Sequence, residues 1–269
     1  MTEIRTQSGS KTRVALSKKL TRYGGFLLRA PLVLLHLRRR FGTALRVGTL
    51  HRVAVYPGLG VAYNRVKKNA NTTLALLFRE LAGDGETHRD QAKWEALTPF
   101  DLSADQRAEL DRLCWIVVVR NPYSRVLSAF LDKFREEKYQ KSYGNFDLSP
   151  EGFAAFVTWL EQGGLSKDGH WDLQTKLIAG PVSKFDAVIR FETLGADLER
   201  ALTRARVPFD AGKLRKAYPS DEGKKTGASD RMPAFYTPDL ATRVARLYAR
   251  DFTALGYDTA FHEGDPVTA

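Results

Sequence analysis

Two short stretches combine cations, hydroxyls and amides in a way that suits an anion. In the first, a strand delivers Lys68, and a brief turn then delivers Asn69, Ala70, Asn71, Thr72 and Thr73 at the start of a helix. The first N–H groups of a helix lack intrahelical partners, and its positive end favours negative charge. Threonine hydroxyls add donors, and Lys68 adds a point charge. This is not a triphosphate loop of the G-x-x-x-x-G-K-S/T type, since no glycine lies between Gly60 and Gly83. A single phosphate or a phosphosulfate asks for less than that cradle. The second stretch begins at Arg120, which closes an apolar run, where a charge calls for an anionic partner. Ser128 lies two helical turns further on, placed so that both can reach one phosphate, whereas Arg125 falls on a different helix face. Each stretch alone also has a plain reading: a capping threonine beside solvated lysines, or an arginine paired with a structural carboxylate.

The elements that must position these residues follow from periodicity and punctuation. Val53 to Tyr56 is a short apolar run before the turn Pro57-Gly58-Leu59-Gly60. Val61 to Val66 reads as a strand leading into the first stretch, and a helix from Leu74 to Leu81 stops at Gly83. Ser103 caps a helix expected to reach Leu113, with Asp105 and Gln106 in its first turn. Cys114 to Val119 is a continuous apolar run, as a strand covered on both faces should be. Asn121 caps, and Pro122 opens, a helix expected from Tyr123 to Lys138. A helix from Pro150 to Gln162 ends at Gly163 and Gly164, a strand spans Asp186 to Phe191, and a helix spans Leu194 to Arg206. Residues 207–238 read as irregular and basic, and one last helix runs from Pro238 to Leu255 before Gly256. This alternation predicts an α/β fold with a central parallel sheet flanked by helices. Ligands of such sheets bind at the carboxyl ends of the strands, which puts residues 67–73 and 120–128 on one rim.

The chain has 269 residues, with 42 Lys and Arg against 31 Asp and Glu, a formal charge of +11. That length fits one large domain over 49–260, preceded by a basic helical arm over 1–48, helical from 13, and followed by a tail over 261–269. With 43% hydrophobic and 27% charged residues, wholesale disorder is excluded. The positive surplus favours an anionic partner without choosing among nucleotide, nucleic acid, acidic glycan and membrane. Cys114 is the only cysteine, so no intramolecular disulfide or cysteine zinc cluster can form, and a reducing, cytoplasmic setting is expected. Gly24 to Leu37 falls short of the roughly 20 apolar residues of a membrane span. It is also interrupted by Arg29, Pro31 and His36. Two roles are open to the arm: packing on the domain or on a second subunit, as in a homo-oligomer, or peripheral contact with an anionic inner membrane face.

The two stretches also bear a likeness. Val66-Lys67-Lys68-Asn69-Ala70-Asn71-Thr72-Thr73 resembles the 5′-phosphosulfate loop of the carbohydrate sulfotransferases, with Lys67 where the family has Pro and Asn71 where it has Cys, Ser or Gly. Val119-Arg120-Asn121-Pro122-Tyr123-Ser124-Arg125-Val126-Leu127-Ser128-Ala129-Phe130 is similar to their 3′-phosphate motif. Gly169-His170-Trp171, Arg190-Phe191-Glu192 with Asp197, and Leu247 to Phe252 through Gly256-Tyr257 resemble further family landmarks, in order, so the likeness spans residues 50–258. It is nearest to the chondroitin-type enzymes and their bacterial counterparts, sulfotransferase family 2. The resemblance implies a P-loop-like sulfotransferase fold and an enzyme that uses 3′-phosphoadenosine-5′-phosphosulfate (PAPS), leaving the bisphosphate PAP, without metal. Carried over residue by residue, Lys68, Asn69, Ala70, Asn71, Thr72 and Thr73 would hold the 5′ phosphosulfate, and Arg120 and Ser128 the 3′ phosphate. Lys224 and Lys225, in a basic loop with Thr226 and Gly227, would fold over the nucleotide.

Sulfuryl transfer to a hydroxyl wants a base, and histidine suits it. His36 lies in the arm and His262 in the tail. His170, in the His-Trp pair, is favoured over His88, which lies between the two motifs. Glu192 is an alternative base, with a structural role for it the plainer reading. The positive surplus suits a carbohydrate acceptor bearing acidic groups, an oligo- or polysaccharide, with Trp94, Trp159 and Trp171 as candidate stacking surfaces. No nucleic-acid partner is expected. Two rival classes are a nucleotide phosphotransferase, which lacks its glycine-rich loop here, and a non-enzymatic binder of nucleic acid or acidic glycan, which leaves two phosphate turns unexplained.

Overall fold

The computed structural model describes residues 30–83, 95–210, 212 and 227–261. The arm before residue 30 and the candidates His88, Trp94, Lys224, Lys225 and His262 lie outside them. Four strands form one sheet in sequence order: β1 Val53–Tyr56, β2 Val61–Asn64, β3 Cys114–Val119 and β4 Ala187–Arg190. β2, β3 and β4 are parallel, with Asn64 beside Val117 and Val119 beside Arg190. β1 runs antiparallel to β2, and the reversal between them uses Gly60 at φ 64°. β3 is the sheet's hydrophobic spine. Trp115, Val117 and Val119 enter one core, and Ile116 and Val118 the other, so the unbroken apolar run reflects a strand covered on both faces.

Helices close both faces. α1 (residues 30–41) sends Val33, Leu37 and Phe41 into the larger core. α2 (Asn71–Leu81) covers the other face, where Leu74, Leu77 and Phe78 pack on Ile116 and Val118. After α3 (Ala104–Ala108) and β3 comes α4 (Pro122–Lys133), with Asn121 Oδ1 accepting from the Tyr123 N–H at 2.9 Å and Pro122 in the first turn. α5 (Glu137–Tyr143), α6 (Pro150–Trp159) and the short α7 (Gln174–Leu177) complete the stretch before β4. α8 (Leu194–Arg204), α9 (Ala228–Phe235), α10 (Pro238–Leu247) and α11 (Ala249–Leu255) follow it.

Several expected boundaries move, each for a physical reason. The strand expected to reach Val66 ends at Asn64, where the chain turns into the first anion stretch. The helix capped by Ser103 stops at Ala108, and the chain reaches β3 through turns in which the Leu110 N–H donates to the Arg107 carbonyl and the Leu113 N–H to the Glu109 carbonyl, both at 3.2 Å. The helix expected to reach Lys138 stops at Lys133. Phe134 is drawn into an aromatic cluster with Phe130, Phe156 and Trp171, and the Gln140 amide takes its carbonyl at 2.7 Å. The region read as irregular contains α9, hidden by Pro233 within it. The single last helix is two, broken at Tyr248. The helical reading of 13–48 ends at residue 41 in the described part and continues in short 3-10 turns.

Candidate active site

The buried Asn64 amide at the end of β2 donates to the Leu177 carbonyl (3.3 Å) and accepts from the Ala179 N–H (2.8 Å). The chain then turns through residues 65–70 without a glycine, yet Lys68 (φ 71°) and Ala70 (φ 53°) adopt the left-handed conformation. That conformation costs a non-glycine residue about 1–2 kcal/mol, so neighbours must hold it. Arg125 Nε donates to the Lys67 carbonyl (3.2 Å), and the Arg120 guanidinium to the Lys68 carbonyl (3.1 Å). Asn69, fully buried, donates to the Val118 carbonyl (2.8 Å) and to Gln174 Oε1 (2.6 Å). The loop therefore alternates in backbone hand and enters α2 through Ala70, whose side chain makes no capping bond. Consecutive N–H groups in such a bend, together with the first helical turn, form a concavity suited to an anion.

The second turn is tied to the first. Arg120 is 5% exposed, and its guanidinium lies 4.0 Å from the Phe191 ring centroid and donates through Nε to Ser124 Oγ (3.0 Å). One amide spans both turns. Gln174 Oε1 accepts from the Arg120 N–H (3.0 Å) as well as from Asn69, and Gln174 Nε2 donates to the Arg120 carbonyl (2.7 Å). Gln174 is set in turn by Asp251, whose carboxylate accepts from the N–H groups of Gln174 (2.6 Å) and Thr175 (3.0 Å).

On α4, Ser124, Ser128 and Asp132 recur every fourth residue and share a face. Ser124 meets Arg120, buried Ser128 follows, and Asp132 Oδ2 lies 3.0 Å from Lys68 Nζ. Arg125, beside this face, also donates to the Gly169 (3.3 Å) and Asp172 (2.8 Å) carbonyls. Burial pulls the Lys68 ammonium down to about 8, with Asp132 opposing and the Arg120 and Lys133 charges reinforcing the shift.

Arg125 thereby brings the His-Trp turn against the lysine loop. His170 Nδ1 lies 2.6 Å from Asp168 Oδ1, 3.2 Å from the Tyr139 hydroxyl and 3.4 Å from Lys67 Nζ. Burial lowers His170 to about 4 against the pull of Asp168, with Lys67 and Lys133 assisting. The imidazole is therefore neutral at pH 7. Donating Nδ1–H to the Asp168 carboxylate leaves Nε2 as an acceptor. Asp168, beside this N–H and the Lys67 charge, stays ionised.

Thus Lys68, Asn69, Ala70, Asn71, Thr72, Thr73, Arg120, Ser128 and His170 come from adjoining loops and helix starts. Glu192 is committed elsewhere, accepting from the Asn121 N–H (2.8 Å) and the Tyr257 hydroxyl (2.8 Å). Trp171 is fully buried, with its indole N–H on the Gly164 carbonyl (3.0 Å), so it is core and not a groove wall. Sequence reasoning missed Asp132, Asp168 and Gln174. The four-residue recurrence from Ser124 and Ser128 could have flagged Asp132. Among the described residues no group of three or more His, Cys, Asp or Glu could hold a metal ion.

The sulfotransferase family model matches residues 51–258, a span that contains both turns and the His-Trp turn. The chain belongs to the sulfotransferase family. No curated protein and no solved structure matches it. The sulfotransferase's α/β sheet and flanking helices agree with that membership, and its general activity is transfer of a sulfuryl group. No helix among the described residues is long and apolar enough to cross a membrane.

Proposed function

We propose that this sulfotransferase takes its sulfuryl group from PAPS and delivers it to a hydroxyl of a carbohydrate, most naturally one bearing acidic groups. The observation that carries the reading is the clamp between the two turns, in which Arg120 donates to the Lys68 carbonyl and Gln174 bonds both Asn69 and Arg120. It fixes the spacing of two cationic turns, as a ligand phosphorylated at both ends of an adenosine requires. The residues fit that ligand. The N–H groups of Asn71 to Thr73, in the first turn of α2, and the Lys68 ammonium suit the 5′ group, and Arg120 with Ser128 the 3′ phosphate.

The donor, when bound, supplies an activated sulfuryl group with a phosphate leaving group. Catalysis then rests on positioning and charge, since sulfuryl transfer resembles phosphoryl transfer in its in-line geometry. Lys68 neutralises charge that grows on the leaving oxygen. His170 accepts the acceptor's proton at Nε2, with Asp168 holding its Nδ1–H. Lys224 and Lys225 complete the proposed nucleotide contacts from the sequence, as does His88 the alternative base. Domain extent over 49–260, a homo-oligomer and peripheral membrane contact through the basic arm belong to the same reading.

Calorimetry with PAP, ATP–magnesium and an oligonucleotide tests the donor. Tight, metal-independent binding of PAP is expected. Preference for ATP–magnesium or for the oligonucleotide would overturn the reading.

A further inference from the structure

Asp132 has no part in the activity as derived so far, yet it sits against the residue on which that activity leans. It occupies the α4 face that presents Ser124 to Arg120, two turns closer to the helix C-terminus. Its Oδ2 lies 3.0 Å from Lys68 Nζ, and both side chains are partly withdrawn from solvent, at 15% exposure for Lys68 and 38% for Asp132. The charged groups that face Lys68 among the described residues are Asp132 and Lys133 from α4 and Arg120 from the end of β3. Two of the three are cations, and each disfavours the ammonium. Lys133 also touches Asp132, at 3.2 Å, but has its own carboxylate in Glu136 at 2.5 Å. Lys133 thus has a second carboxylate, whereas Asp132 is the one carboxylate among the described groups that face Lys68.

We propose that Asp132 is a positioning residue for Lys68, holding its ammonium charged and fixed beside the first turn. The inference rests on the reading of Lys68 as a donor-binding charge. An ammonium has three N–H groups, so one spent on Asp132 leaves two for the donor. Fixing one of them removes the rotamer freedom of a long side chain before the ligand arrives. An ammonium crowded by two cations in a half-dry crevice, with no carboxylate, would shed its proton near neutral pH.

The test is the pH dependence of PAP affinity by calorimetry, in the full chain and in Asp132→Asn, Asp132→Glu and Lys68→Ala. In the parent chain affinity should fall on the alkaline side as Lys68 loses its charge, with a midpoint near its value of about 8. Asp132→Asn should move that midpoint about one unit lower, a tenfold change in proton affinity. Asp132→Glu should restore it, and Lys68→Ala should abolish the fall. If Asp132→Asn fails to fold, Asp132→Ser makes the same comparison. A midpoint unmoved in Asp132→Asn, with the fall absent in Lys68→Ala, sinks the inference alone. A fall that persists in Lys68→Ala sinks the reading of Lys68 and the inference together.

Discussion

His170 shows how a single side chain can be kept ready for chemistry at a cost to the fold. Its ring is buried beside Lys67, so the charged form is disfavoured, and the value drops from 6.5 to about 4. As pH falls through 6.5, the unfolded chain takes up a proton that the folded chain refuses. Stability is therefore complete above about 6.5 and is lost progressively toward 4. Urea unfolding of the parent chain should show about 1–2 kcal/mol less stability at pH 5 than at pH 7 from this group, allowing for its residual exposure. His170→Gln should remove that part of the slope, and an unchanged slope would place the titration elsewhere. A second residue-scale expectation concerns Arg120. Arg120→Ala should weaken PAP binding roughly tenfold to a hundredfold, the worth of a hydrogen bond to a charged group. It should weaken adenosine 5′-phosphate less, because only the loss of the Lys68 carbonyl contact reaches the 5′ side. Equal losses in calorimetry would leave Arg120 as a strut.

At the scale of elements, the site depends on three segments meeting at one rim: the β2–α2 loop, the β3–α4 junction and the His-Trp turn leading to α7. The first two were legible because their residues obey local rules. The unbroken apolar run Cys114–Val119 demands burial on both faces, and Asn121-Pro122 is a helix start whatever surrounds it. Val53–Tyr56 is a strand that four apolar residues, with too little period to name, do not announce. The break at Tyr248 was invisible for another reason. The apolar repeat runs on through it, and the turn exists so that the Tyr248 hydroxyl can reach the Trp171 carbonyl (2.6 Å) and Asp251 can reach Gln174. Gln174 itself carries no sequence signal, because its role lies wholly in partners distant along the chain. That makes it the sharpest probe of the junction. Gln174→Ala should leave three buried polar groups of Asn69 and Arg120 short of a partner, at about 1–3 kcal/mol each before relaxation. PAP, which must bridge the turns, should lose more affinity than inorganic phosphate, which needs only one. Similar losses for both ligands, or none, would mean that the turns are spaced by something else.

The whole molecule adds a field that no single element supplies. The formal charge of +11 is spread along the chain, yet Lys67, Lys68, Arg120, Arg125 and Lys133 converge on one crevice, where Asp132, Asp168 and Glu136, with Asp172 and Asp251 beside Arg125, offset them in part. Low-dielectric walls on both sides of the sheet, formed by the two cores, focus such a field outward. A doubly phosphorylated nucleotide should be drawn in by it from beyond contact range, and salt should screen that attraction over about 8–10 Å at physiological strength. The contacts made after arrival are largely buried, as with Arg120 at 5% exposure, and should be screened much less. Stopped-flow measurement of PAP binding should therefore show an association rate that falls several-fold between about 20 mM and 200 mM salt, with a dissociation rate that changes little. For neutral adenosine the association rate should not fall with salt. If the association rate of PAP were insensitive to salt, the positive surplus would lie away from the crevice. Affinity would then rest on the short-range clamp of Arg120, Gln174 and the lysine loop alone.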